Sequence, residues 1–422
     1  MKILHFSAGS LRGGAARGAY CLHQGLLDLG VNSCFISNGK NNSSQENLFN
    51  LNSGLFENIK FALLPRLGSL PKYLYLKRQP FLFNTGLEGV DITKLKQYRD
   101  ADIIHLHWIN GMVSMSALKK IKKPVVWTIR DMWPFTGGCH YSMGCSGYTD
   151  SCGGCPQLGS ERAKDLSHFI FENKKNSLPP NVRPIGISRW ITSCANNSPT
   201  FEGIPVNTIY NNIDTKAFFP VDKALARKKL ALPADAKIVL VGAQSVTDFY
   251  KGFELFKQAV SYLPSEKLTI VAFGGSPISL DKTCTLKVVN LGFITSDEQL
   301  RYVYSAADVF VAPSRMDAFG KTIGESLACA TPVVCFNASG PGEIVIHKRT
   351  GYKAAPYDSR DLANGINWIL SQTEESRERM KSAGVERVNQ HFHVEVVAKQ
   401  YLNLYREMLD TDYTSDRLNA DL

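Results

Sequence analysis

Short apolar runs alternate with amphipathic stretches along almost the whole chain. Residues 2–6, 33–37, 103–107 and 125–130 have the length and branched-chain content of buried strands, and a second series follows at 237–243, 268–273, 288–291, 309–312 and 331–336. Between them, apolar residues recur at helical spacing in 18–30, 112–121, 251–263, 296–305 and 322–329. Ser296 and Gln299 have the spacing of a capping box at the head of one of these helices. Alternation of this kind predicts βαβ units and parallel sheets. A chain of 422 residues exceeds what one core usually organises, so the pattern reads as two doubly wound, Rossmann-like α/β domains. The polar, proline-containing segment 173–184 is the expected linker, which gives domains 1–184 and 185–393. Helical periodicity after the second series predicts that residues 394–422 form a helix returning to the first domain.

Open parallel sheets bind ligands beyond the carboxyl ends of their strands, so the loops there are the place to look for chemistry. After the first strand comes Gly9-Ser10-Leu11-Arg12-Gly13-Gly14, a turn into a helix that lets backbone approach an anion closely. It is not Gly-x-Gly-x-x-Gly, and no acid ends the second strand, so a nicotinamide site is not supported. The second domain opens with Gly242-Ala243-Gln244-Ser245 and then Tyr250-Lys251-Gly252. After residues 309–312 come Arg315, Asp317, Phe319-Gly320-Lys321 and Glu325. Gly320-Lys321-Thr322 resembles the end of an NTPase phosphate loop, but that loop needs glycine where Arg315 stands, which excludes it.

Charge changes the picture in the first half. Residues 1–200 hold 23 Lys and Arg against 12 Asp and Glu, leaving 25 against 26 of the totals of 48 and 38 for the rest, so the net +10 belongs to the first domain. Within it, residues 60–83 carry Lys60, Arg66, Lys72, Lys77 and Arg78 with no acid, interleaved with Phe61, Tyr73, Tyr75, Phe81 and Phe83. That mixture suits contact with an anionic membrane surface; the plainer alternative is an insert packed on its own domain. No nucleic-acid motif accompanies the charge, and nucleic acid is not an expected partner. No run approaches the ~18–20 apolar residues of a membrane span, and MKILHFSAG reads as a strand rather than a signal peptide, so a cytoplasmic protein is expected.

Cys139, Cys145, Cys152 and Cys155 place four thiols in a short glycine-rich stretch, and the Cys-x2-Cys pair is of the kind that grips Zn²⁺. A structural zinc, one or two disulfides and a metal-free packed loop all fit this spacing. Four thiolates would close the coordination sphere, so such an ion would fold the loop rather than catalyse.

Several segments together resemble glycosyltransferase family 4. VFVAPSRMDAFGKTIGESLACATPVVCFNASGPGEIV carries its donor-binding pattern, two acids separated by seven residues around Phe-Gly, here Asp317 and Glu325. YNNIDTKAFFP, Tyr250-Lys251-Gly252 and LGFITSDEQLRYVYSAADVFVAPS match further. VVWTIRDMWPFTGGCHYSMGCSGYTDSCGGCPQL is similar to the branch that builds bacterial surface and extracellular polysaccharides, including exopolysaccharide, lipopolysaccharide and colanic acid-type transferases. The resemblance spans nearly the whole chain except roughly residues 40–100. It implies a GT-B fold with two domains facing across a cleft, transfer with retention from a UDP- or GDP-sugar to an oligosaccharide or lipid-linked acceptor, and no cofactor required for catalysis.

By the same resemblance Glu325 takes the ribose diol, Asp317 faces the donor sugar, and Lys251 with Gly13, Gly14, Gln244, Phe293, Phe319, Gly320 and Lys321 lines the donor. Transfer without a metal needs cations and N–H groups against the departing diphosphate, a task that suits Lys251 and the backbone of 319–321. On the acceptor side the expected residues are His107, Trp133 and His140, with Arg130 and Asp131 counted as catalytic. The family more often has Glu at the position of Asp317, Arg near Gln244 and Ser245, and His at Arg130. Arginine cannot serve as a base, so proton acceptance falls to Asp131, His107, His140 or the leaving phosphate. The alternative reading is a catalytically inactive nucleotide-sugar-binding regulator on the same fold.

Overall fold

The computed structural model describes residues 1–11, 13–39, 47–51, 67–243, 248–264, 268–280 and 285–420, with side chains described as far as 410. Arg12, Lys60, Phe61, Arg66, Gln244, Ser245 and Cys284 lie outside the described residues. Two compact units emerge, Met1–Tyr210 with Val397–Leu422, and Asn211–Val396.

The first unit is built on strands β1 (Lys2–Ser7), β2 (Asn32–Ser37), β3 (Leu48–Asn50), β4 (Ile103–Leu106), β5 (Val125–Ile129), β6 (Val182–Gly186) and β7 (Asn207–Thr208), in the order β3-β2-β1-β4-β5-β6-β7. All pairs are parallel. Ile3, Leu4, Ile103, Ile104, Val125 and Val126 are fully buried, as strands covered by helices on both faces must be. The last helix, Val394–Ala420, lays Val397, Ala398, Tyr401, Tyr405 and Met408 against Ile3, Leu26, Ile103, Val126 and Ile185 of this unit. These side chains recur at three- and four-residue spacing, one face of a helix.

The second unit has a parallel sheet in the order β10-β9-β8-β11-β12-β13. Its strands are β8 (Lys237–Gly242), β9 (Leu268–Phe273), β10 (Lys287–Asn290), β11 (Val309–Ala312), β12 (Val333–Phe336) and β13 (Gly351–Ala354). Phe256, Ala259, Leu362, Ile366 and Ile369 pack on its buried valines, Val239, Val241, Val309 and Val311.

Three expectations need correction. The segment 173–184 is no linker: it holds the end of the helix Leu166–Lys175 and the start of β6, and the first unit continues to Tyr210. Pro184 misleads because it lies in β6 ahead of the two residues that pair with β7, an edge-like place where a strand tolerates proline. The helix expected over 112–121 contracts to Met115–Leu118, capped by Ser114. The helix expected from 251 begins at Phe253, because Gly252 adopts left-handed backbone after the 3₁₀ turn Phe249–Lys251.

Candidate active site

In the second unit β8 and β11 are neighbours, so the segments beyond their carboxyl ends meet. The peptide N–H groups of Arg315 and Met316 donate to the Tyr250 carbonyl at 2.8 and 3.3 Å. Gly252 permits the approach: its φ is +69°, and a Cβ there would lie 1.9 Å from the Pro313 oxygen. The result is an ion pair, Lys251 Nζ to Asp317 Oδ2 at 2.7 Å, with the side chains 22% and 17% exposed. Asp317 Oδ1 accepts from the N–H groups of Phe319 at 3.1 Å and Gly320 at 3.0 Å, and its own N–H donates to Ser339 Oγ at 3.2 Å. Burial pushes the Asp317 carboxyl up, but Lys251 and those two N–H groups outweigh it and hold the group below the usual carboxylate value.

This differs from the expectation that the backbone of 319–321 faces a diphosphate. Phe319 and Gly320 have turned their N–H groups to Asp317, which acts as a local cap ahead of the helix Lys321–Ala328. With two bonds on Oδ1 and one on Oδ2, Asp317 keeps room on Oδ2 for one further donor, while the Lys251 ammonium has three donors and commits one of them to Asp317.

Glu325 lies one turn into the same helix and is buried, only 3% exposed, rather than on a loop. Its Oε2 accepts from Tyr304 Oη at 3.0 Å, and Oε1 is 4.0 Å from Lys321 Nζ. Arg315 stacks its guanidinium over Phe249 at 4.7 Å. Phe293 is exposed beyond β10.

In the first unit Gly13 and Gly14 head the helix Gly14–Asp28, which has no side-chain cap and no acid in its first turn, leaving its positive end uncompensated. His107 follows β4, and Arg130 and Asp131 follow β5, all three buried. Arg130 Nη2 lies 3.3 Å from His107 Nδ1, and His107 Nε2 lies 3.0 Å from His5 Nδ1. Arginine only donates, so His107 Nδ1 accepts and the proton of this imidazole sits on Nε2, directed at His5. His105 bridges Tyr405 Oη at 2.6 Å and Thr128 Oγ1 at 2.7 Å. Burial pulls His5, His105 and His107 well below the usual histidine value, and pulls Arg130 down to about 10. At neutral pH these imidazoles are uncharged and the guanidinium remains a cation.

Asp131 is equally engaged. Its Oδ2 accepts from Trp108 Nε1 and His140 Nδ1, both at 2.7 Å, and Oδ1 accepts from the Trp133 N–H at 2.9 Å. Trp133 and His140 are both buried, with Trp133 Nε1 on the Asn84 carbonyl and His140 Nε2 on Asn84 Oδ1. The acceptor-side residues of the sequence analysis thus form the wall behind a surface, not the surface.

Cys139, Cys145, Cys152 and Cys155 carry no disulfide and line one small cavity. Burial pushes Cys139 and Cys152 up to about 12 and pulls the buried Lys174 beside them down to about 7.

Sequence reasoning missed Tyr304, Ser339, His5 and the two tyrosines of the last helix. His105 on β4 and His107 just beyond its end, two residues apart, offered a signal of a shared face that His5 completes in register with His105. Tyr304 and Ser339 offered none, since each reaches its acid through the fold.

Residues 222–387 match the family described as Glycosyl transferases group 1. The putative colanic acid biosynthesis glycosyl transferase WcaC of Escherichia coli is 26% identical over 82% of this chain and 85% of its own length. The D-inositol 3-phosphate glycosyltransferase of Mycobacteroides abscessus is 26% identical over 64% of this chain, which spans 58% of that protein. Among solved structures, Anabaena Alr3699/HepE in complex with UDP and glucose aligns over 96% of this chain and 99% of its own, with a TM-score of 0.64 and 17% identity. Residues 222–387 thus belong with the group 1 glycosyl transferase domains, and the two Rossmann-like sheets have the GT-B fold.

Proposed function

We propose that the protein is a retaining, family 4 glycosyltransferase that moves a sugar from a UDP- or GDP-sugar to a lipid-linked acceptor in bacterial surface polysaccharide synthesis. The observation that carries the reading is the Lys251–Asp317 ion pair, beyond adjacent strands and one helix turn from the buried acid Glu325. Asp317 aims the Lys251 ammonium and leaves it donors for the oxygens of a departing diphosphate, which a metal-free transfer requires. The remaining lone pair of Asp317 Oδ2 suits a sugar hydroxyl, and Glu325 suits the ribose. The solved structure of Anabaena Alr3699/HepE in complex with UDP and glucose supports a nucleotide-sugar donor for this fold. Because the carboxylate of Asp131 already accepts three hydrogen bonds, His107 is tied to Arg130, and both nitrogens of His140 have partners, the leaving phosphate is the group that takes the acceptor proton.

The acceptor reading draws on residues 67–82. Leu67, Leu70, Tyr73, Leu74, Leu76 and Leu82 are all exposed there, Leu76 by 91%, alongside Lys72, Lys77 and Arg78. Apolar side chains beside cations suit an anionic membrane face, where each cation contributes about 1 kcal/mol. No helix among the described residues is long and apolar enough to cross a membrane. The test of the reading is a panel of UDP- and GDP-sugars, first by thermal shift and then by release of UDP or GDP with lipid-linked acceptor. One donor should both stabilise the protein and turn over; stabilisation without turnover on any acceptor preparation would favour a binding regulator. Replacing Lys72, Lys77 and Arg78 with Glu should remove the protein from anionic liposomes at low salt while donor affinity stays unchanged. Wild-type protein that ignores such liposomes would end the membrane part.

A further inference from the structure

The loop between β5 and the helix Leu166–Lys175 takes no part in the donor chemistry, yet it gathers four cysteines around one space. Cys139, Cys145, Cys152 and Cys155 line a cavity of about 20 Å³, together with Phe83 and Tyr148. That is room for a single ion or water. Two of the four sulfurs already have peptide N–H groups directed at them. Gly137 donates to Cys152 Sγ at 3.2 Å, and Gly147 donates to Cys145 Sγ at 3.4 Å. A neutral thiol is a weak acceptor, whereas a thiolate is the form that ligates metal and draws such donors.

The neighbouring charge fits the same account. Lys174 is fully buried, and its ammonium donates to the carbonyls of Trp133 and Thr136. Asp131 and Glu88 act on it from beyond ion-pair distance. The two carbonyls and the Trp133 ring, 3.8 Å away, offset part of the cost of burying this ammonium, and thiolates beside it would offset more. Beside Zn²⁺ with four thiolates, a centre of net charge −2, it is a counter-ion.

The geometry points to a structural Zn²⁺ held by Cys139, Cys145, Cys152 and Cys155. In the present rotamers no three of these sulfurs lie within 4.8 Å of one another, a condition that His5, His105 and His107 do meet. Tetrahedral zinc with Zn–S of ~2.3 Å needs sulfurs roughly 3.8 Å apart, so the thiols turn inward into the cavity as the ion enters. Each sulfur gives an electron pair to the ion and its proton to solvent; nothing is oxidised or reduced. The histidine trio is the weaker competitor. Both nitrogens of His105 and of His107 already have partners, and the Arg130 guanidinium beside His107 opposes a second cation. With its coordination filled by sulfur, the ion does no catalysis. It locks the loop that carries His140, next to the ligand Cys139, and through His140 it steadies Asp131.

Full-length protein purified without chelator and assayed by elemental mass spectrometry should hold about one Zn²⁺ per chain, released by an organomercurial thiol reagent. Protein loaded with Co²⁺ alone should show sulfur-to-cobalt charge transfer and the intense visible bands of a tetrahedral site. Cys145→Ser and Cys155→Ser should lose the zinc, whereas His5→Gln should keep it. If the cysteine variants fail to fold, the cobalt spectrum of the unaltered protein decides. Folded protein that takes up no zinc from ZnCl₂, zinc lost only in His5→Gln, a cobalt spectrum without sulfur bands, or a mass short of two hydrogens per cysteine pair would each overturn the assignment.

Discussion

Gly252→Ala adds one methyl group at the point where two loops touch, and the structure sets its cost. The residue has φ +69°, where a non-glycine residue is worse by about 1–2 kcal/mol. The new Cβ would lie 1.9 Å from the Pro313 oxygen and 3.0 Å from its carbon, both backbone atoms that no side-chain rotation can move. Relief requires the turn Phe249–Lys251 to withdraw from the segment after β11. Overpacking of this kind costs about 1–3 kcal/mol, and the two hydrogen bonds to the Tyr250 carbonyl contribute about 0.5–1.5 kcal/mol each. A loss of about 3–8 kcal/mol follows, or a fall in Tm of roughly 6–32 °C for a unit of this size. Thermal unfolding by circular dichroism reads the shift, and release of UDP or GDP reads the displacement of Lys251 from Asp317. Gly14→Ala is the control, since a Cβ there meets nothing within 4 Å, and its stability should stay within about 0.5 kcal/mol. If Gly252→Ala melts within about 2 °C of the parent and turns over normally, the two loops do not touch as described.

Lys251→Met should abolish transfer, and it should also flatten the acid dependence of stability. The carboxyl of Asp317 lies below its ordinary value, so it adds stability above about pH 4 that fades as pH falls through the lowered value. Without Lys251 burial lifts that carboxyl, so the variant is less stable at neutral pH and loses less of its remaining stability between roughly pH 6 and 3, which unfolding curves would reveal. Glu325→Gln keeps the shape and an acceptor for Tyr304, so the fold should survive while donor binding weakens by about 1–3 kcal/mol in calorimetry. Glu325→Ala is a poorer probe, because it removes an acceptor of Tyr304 and leaves a void at a buried position. Tyr405→Phe removes the partner of His105 Nδ1 and should destabilise the first unit by about 1–3 kcal/mol, measured by denaturant unfolding.

What the sequence revealed depended on whether a signal was local. Runs such as 237–243 and 309–312 are apolar along their length because both faces of the sheet are covered, and they correspond to β8 and β11. β3, β6, β7 and β13 escaped because they are short or contain proline and glycine, and their pairing is set by neighbours far along the chain. The site divides the same way. Asp317 and Glu325 were visible through their spacing, and Lys251 through the glycine that follows it. That Asp317 would consume the N–H groups of Phe319 and Gly320 was not visible, since the capping depends on a left-handed Gly320. The burial of Glu325 arises from packing between helices; Trp133 and His140 are buried in a hydrogen-bonded network that includes Asn84, sequence-distant from both, and His107 is buried against Arg130 and His5.

Hydrogen exchange with and without UDP or GDP tests most directly whether the donor binds at Lys251, Asp317 and Glu325. Saturating nucleotide should slow exchange in the peptides covering 249–256 and 316–328, and Lys251→Met should abolish that protection. Protection that spares both peptides, or that persists unchanged in Lys251→Met, would contradict the account.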